Sequence, residues 1–156
     1  MRKHLSIVIF AFSSLMLFSS AMPAQSRASV SAAEVNGTFR MNFSGKFKEF
    51  SNDVKVLALG GGKIRFALDL IYPYSTRSGE PMANLGTLDE EASITGDTAI
   101  FNSEDGKCKL TLLFVKAGTL KITQEGSDAD CGFGHNVMAS GTYKKVSSKK
   151  PKFEEN

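Results

Sequence analysis

Residues 108–143, CKLTLLFVKAGTLKITQEGSDADCGFGHNVMASGTY, constrain the fold more than any other stretch of this chain. Cys108, Leu110, Leu112 and Phe114 occupy alternate positions, so an extended strand puts them on one face. Ala117-Gly118 reads as a turn, and a second alternating strand follows through Leu120, Ile122 and Gln124. A glycine-rich corner, Cys131-Gly132-Phe133-Gly134, leads into a last strand carrying Val137, Ala139, Gly141 and Tyr143. The protein has two cysteines, one at the head of the first strand and one at the corner. A Cys108–Cys131 disulfide would close this unit, and the chain-entropy model values such a loop at roughly 3 kcal/mol.

The remainder of the chain keeps the same period of two. Phe39, Met41 and Phe43 alternate with Thr38, Arg40 and Asn42. Residues 54–59 and 64–72 read as two strands joined by the flexible turn Gly60-Gly61-Gly62-Lys63. Residues 73–84, PYSTRSGEPMAN, are rich in turn formers and read as the longest loop. A strand over 85–94 directs Leu88, Ala92 and Ile94 inward, and 98–102 forms a short strand. One helical turn fits within the charged link 46–52, and no longer helical period appears. About eight short strands with glycine or aspartate punctuation predict an all-β chain, a small antiparallel barrel or barrel-like sandwich with one disulfide. Gly37-Thr38-Phe39-Arg40 resembles Gly141-Thr142-Tyr143-Lys144, which suits first and last strands pairing to close a barrel.

The ends read differently from the body. Arg2 and Lys3, the apolar run 5–18 and the small residues after it have the layout of a secretory signal peptide over 1–26. Residues 27–35 read as a flexible lead-in, 36–146 as the barrel domain and 147–156 as a disordered basic tail. With the signal removed, no integral membrane segment is expected, and the product is periplasmic or secreted. In such an oxidising compartment an isolated cysteine pair points to a disulfide. The formal charge of +3 belongs to the ends, because residues 27–143 hold 12 basic and 14 acidic side chains. Such a body lacks the basic stripe that nucleic-acid binding requires.

Few residues suggest catalysis. Apart from His4, His135 is the only histidine, and no nucleophile-elbow or multi-histidine pattern accompanies it. Asp89-Glu90-Glu91 alternate across a strand, with Asp89 and Glu91 on one side and Glu90 on the other, and read as an exposed face. Gly60 to Lys63 lacks the spacing of a phosphate loop. Asp128 and Asp130 lack the spacing of a calcium loop and read as a solvated turn. The chain calls for no catalytic residue, cofactor or metal. Tyr72, Tyr74, Arg77 and Ser78 on or beside the long loop are candidate recognition residues, as are Phe133 and His135 at the corner. For Phe133 an inward plug is the competing role.

The last third, with Cys108, the alternating apolars, Cys131-Gly132, Gly134, Asn136-Val137 and Gly141-Thr142-Tyr143, resembles a group of small exported bacterial β-domains, mostly uncharacterised. That group is loosely similar to periplasmic lysozyme-inhibitor-like proteins. The resemblance implies a disulfide-bearing β-domain that binds a lysozyme or another cell-wall hydrolase. Such inhibitors carry S-G-x-x-Y, whose serine and tyrosine enter the enzyme's cleft. This chain has Ser140-Gly141-Thr142-Tyr143, one residue shorter, which sets the tyrosine on the opposite strand face relative to the serine. Ser140 and Tyr143 join the candidate recognition residues on this ground. The expected function is a non-enzymatic binding module whose partner is a cell-wall hydrolase or other envelope protein. The alternative is an envelope barrel holding a small ligand among inward Phe39, Phe66, Phe101 and Phe114.

Overall fold

A computed structural model describes residues 29–116 and 118–153; the expected signal segment lies outside them. Eight antiparallel strands close into a barrel in chain order: β1 (Gly37–Asn42), β2 (Ser51–Gly60), β3 (Lys63–Ser75), β4 (Pro81–Thr95), β5 (Thr98–Asn102), β6 (Lys109–Lys116), β7 (Thr119–Glu125) and β8 (Gly141–Ser147). Alternation decides which side chains fill it. Phe39, Val54, Val56, Ile64, Phe66, Leu70, Leu110, Leu112, Leu120 and Tyr143 have no exposed surface. Each large apolar side chain buried in this way contributes about 1.5–3 kcal/mol. Phe39 and Phe114 meet edge to face at 6.1 Å between ring centroids, and Phe66 meets Phe101 at 5.7 Å.

The expected closing seam forms. Thr38 pairs with Ser147, Phe39 with Lys145 and Arg40 with Lys144, with a register shift between Thr38 and Phe39. Beside this seam the lead-in is ordered, where the sequence suggested a loose segment. Ser31 caps a single helical turn, α1 (Ala32–Val35), through a capping box with Glu34, and Val35 is buried. The Lys145 ammonium reaches the carbonyl oxygens of Ala33, Glu34 and Asn36 at 2.9, 2.7 and 2.9 Å. Those carbonyls end a turn too short to satisfy them internally. Burial holds the Lys145 ammonium below its usual range, with Glu34 opposing that shift.

Residues 73–84 are not a long loop. β3 and β4 stay paired out to Pro73↔Ala83, Tyr74↔Met82 and Ser75↔Pro81, leaving only residues 76–80 as the turn. Ile71 donates its N–H toward β2, to the Asn52 Oδ1 at 2.8 Å. Pro73, two residues on, has its missing N–H on that same side, beyond the last β2 pair at Asp53↔Asp69. The proline therefore removes no ladder bond, and turn-forming composition yields to pairing.

The chain between β7 and β8 also departs from expectation. Residues 137–140 are not strand; residues 126–140 form an irregular plug under one end of the barrel. The Cys108–Cys131 disulfide ties this plug to the start of β6, as the cysteine positions predicted. Phe133, Val137 and Ala139 are buried within it. The plug rests on β4 backbone at Gly86, where a Cβ would come within 2.8 Å of Val137 Cγ1 and 3.0 Å of Phe133 Cβ. Beyond β8, Phe153 of the expected disordered tail lies under the Arg65 guanidinium, 4.5 Å from ring centroid to Cζ.

Candidate recognition surface

Past Leu70, β3 and β4 extend beyond the barrel as a two-stranded arm. Tyr72 and Tyr74 continue the face that Leu70 presents to the core, but there they are partly open to solvent. They are 41% and 36% exposed, and Met82, opposite Tyr74, is 49% exposed. Asn84, opposite Tyr72, donates its Nδ2 to the His135 carbonyl at 2.7 Å. The Gly134 N–H donates to the Leu85 carbonyl at 2.9 Å. These two bonds bring the corner under the arm. Tyr72, Tyr74 and His135, separate in sequence, thus lie in one neighbourhood. Lys46 Nζ donates to Ser75 Oγ at 3.0 Å and braces the arm from the β1–β2 link.

The tip holds Arg77 and Ser78, both exposed. Ser78 Oγ and Thr76 Oγ1 are 2.8 Å apart, and Thr76 Oγ1 also accepts from Glu80 N–H, so the tip is shaped by its own hydroxyls. At the corner Asp128 accepts from the backbone N–H groups of Ala129 and Asn136, while its own carbonyl accepts from Phe133 N–H at 2.8 Å. These bonds, led by that from Asn136, hold the Asp128 carboxyl below the usual aspartate range. His135 Nδ1 stands 3.8 Å from Asp128 and its side chain is 83% exposed.

Two sequence candidates face inward instead, and a third, the exposed Ser140, is tied to backbone. Phe133 is 7% exposed and plugs the core. Tyr143 is fully buried; its hydroxyl donates to the Ala139 carbonyl at 2.8 Å and takes a hydrogen bond from the Asn52 side chain. Burial raises the Tyr143 pKa well above its ordinary value. Ser140 Oγ accepts from Gln124 N–H at 2.9 Å, while Gln124 Oε1 accepts from Ala139 N–H at 2.8 Å. Asn52, Tyr143, Gln124 and Ser140 therefore form a network that ties β2, β3, β7 and β8 to the plug. Sequence reading missed Asn52, Gln124 and Lys145 in these roles. The available signal was that Asn52 shares the alternating phase of Val54 and Val56, since an amide on a core face needs partners.

The interior is closely packed around Phe39, Phe66 and Phe114, while Phe101 is partly exposed. Side chains with no exposed surface, such as Phe39, Phe66, Leu110 and Leu112, border no space that admits a water molecule. Among the described residues no three of His, Cys, Asp and Glu gather as a metal site, and no helix is long and apolar enough to cross a membrane. No protein-family model, curated protein or solved structure matches the chain.

Proposed function

We propose that this chain is an exported, non-enzymatic module that binds a protein partner, a cell-wall hydrolase or another component of the envelope. The observation that carries this reading is the pair Tyr72 and Tyr74, exposed on one face of a braced arm that ends over a stapled corner. Tyrosine offers a large contact area and a polar tip at low cost in conformational entropy, and its position on paired strands reduces that cost further. The signal-like leader and the disulfide support export.

The hydrolase comes from the resemblance of the last third to small exported β-domains that are themselves loosely similar to lysozyme-inhibitor-like proteins. Tyr143 is buried and the hydroxyl of the exposed Ser140 already accepts from Gln124 N–H, so contact with an enzyme's cleft would fall to the arm and to His135. Phe39, Phe66 and Phe114 are closely packed, which favours protein binding over the small-ligand reading. The test uses the mature domain in molar excess over chicken-, invertebrate- and goose-type lysozymes acting on cell-wall substrate. Slowed lysis by one class is expected, with Tyr72→Ala plus Tyr74→Ala weakening inhibition about tenfold or more at unchanged thermal midpoint. Undiminished lysis with all three rejects the lysozyme partner, and inhibition that survives the double variant rejects the arm as the surface.

A further inference from the structure

The wall of the barrel parts between β4 and β5. Only Ser93, Ile94 and Thr95 of β4 pair with β5, whereas β4 begins at Pro81. Alternate residues of a strand turn their backbone groups to opposite edges. The Leu85 carbonyl, taken by Gly134, and Ser93, paired with Ile100, mark the set that faces away from β3. Thr87, Asp89 and Glu91 lie between them in that set. Among the described residues, nothing hydrogen-bonds their amides or carbonyls on this edge. The unpaired run spans four residue steps, about 13 Å at the usual strand rise of roughly 3.3 Å.

A groove of about 600 Å³ opens at the Glu91 end of this edge, beside Leu88 and Glu90. Leu88, Ala92, Phe101 and the disulfide form its apolar floor, and Glu90, Glu91, Glu104 and Asp130 supply its charge. No lysine or arginine lines it. Glu90 stands opposite Phe66 on the inward face of β4, yet it is exposed, because the wall has opened beside it. Glu91 is already paired with Lys63, at 3.1 Å; neither Glu90 nor Glu104 has an ion-pair partner among the described residues.

We propose that this split takes up an extended, basic segment of another protein by strand addition to β4. Backbone groups of the segment would complete the ladder at Thr87, Asp89 and Glu91. Leu88, Glu90 and Ala92 share the inward face of β4, so the segment's inward side chains would alternate lysine or arginine, against Glu90 and Glu104, with small apolar residues over Leu88, Ala92 and Phe101. Charge selects this occupant over a second copy of the same edge, since two such edges would bring their glutamates together. The inference is independent of the tyrosine-bearing arm.

The experiment titrates the mature protein with a fluorescent octapeptide, Lys-Thr-Val-Thr-Lys-Thr-Val-Thr, one strand face of which alternates lysine with valine. Binding that weakens with salt is expected, together with slowing of amide exchange at Thr87, Asp89 and Glu91 by about tenfold at saturation. Replacing the peptide's lysines with glutamate should weaken binding by at least about tenfold, and Glu90→Gln with Glu104→Gln by about fivefold. Tyr72→Ala should leave it unchanged. Absence of binding overturns the proposal. So does equal binding of a peptide N-methylated at alternate backbone nitrogens, which would mean charge attraction without strand addition. Self-association that the lysine peptide competes away, with or without residues 148–156, would make a second copy the occupant and overturn it as well.

Discussion

The ladder between β1 and β8 and the ladder between β4 and β5 each hold three residue pairs. Both are thin places in the wall, and the chain reinforces them by different means. At the β1–β8 seam the reinforcement is local. Lys145, itself a β8 residue, binds three carbonyls around α1, and its ammonium lies 5.0 Å from the Phe39 ring centroid. At the β4–β5 split the material comes from the β7–β8 connection, held by a disulfide and seated on Gly86. That plug reaches the β4 edge at Leu85 and leaves Thr87, Asp89 and Glu91 open. A wall completed by its immediate neighbours is sealed; one completed by a stapled insert keeps a stretch of edge free for something else.

Removing the insert's anchor should have the largest effect. Phe133→Ala is expected to cost about 3–5 kcal/mol, the range for truncating a buried aromatic. Chemical denaturation would check this, and a loss below about 1 kcal/mol would mean that the plug does not depend on Phe133. Next, replacing Cys108 and Cys131 by serine should cost about 3 kcal/mol. In that variant amide exchange should quicken across 131–139 before it does in β1 and β8; uniform quickening would mean that the staple serves the whole barrel rather than the split.

The seam offers the converse. Lys145→Met keeps the aliphatic stem over Phe39 and removes the three hydrogen bonds. It should cost about 1–2 kcal/mol, since the ammonium is only half-buried and water can reach the freed carbonyls. Exchange at the α1 amides should rise while the plug stays protected. Lowered pH should act on the other side alone and most mildly. Hydrogen bonds hold Asp105, Asp128 and Asp130, all in the two loops beside the disulfide, below the ordinary aspartate value of 3.8. A carboxyl whose folded pKa is depressed adds stability that is complete above the unfolded value and is lost as pH falls through the folded one. Plug amides such as Asn136 N–H should therefore lose protection below pH 3.8, with seam amides following only at lower pH. Simultaneous loss in both places would remove the distinction.

Strand period, the closing pair of terminal strands and the disulfide were legible in the chain, because each rests on local alternation or on a small number of possible partners. Phe39, Phe66 and Leu110 announce their face by spacing, and two cysteines leave one intramolecular pairing. The β3–β4 arm was not legible: its residues favour turns one by one, and only the register inherited from the barrel keeps Tyr74 opposite Met82. The same holds for Tyr143, whose alternation fits a strand but whose burial depends on Asn52 and Ala139. Glu90 shows the limit from the other side. Its spacing puts it across from Asp89 and Glu91, as expected, but spacing does not reveal that the inward face opens to water there. Side-chain period is a property of neighbours in the chain, whereas the partner of a strand edge is set by segments far along it. In this protein the sequence determined the faces of the strands, and the tertiary structure decided which edges were left unpaired and which tyrosines were left exposed.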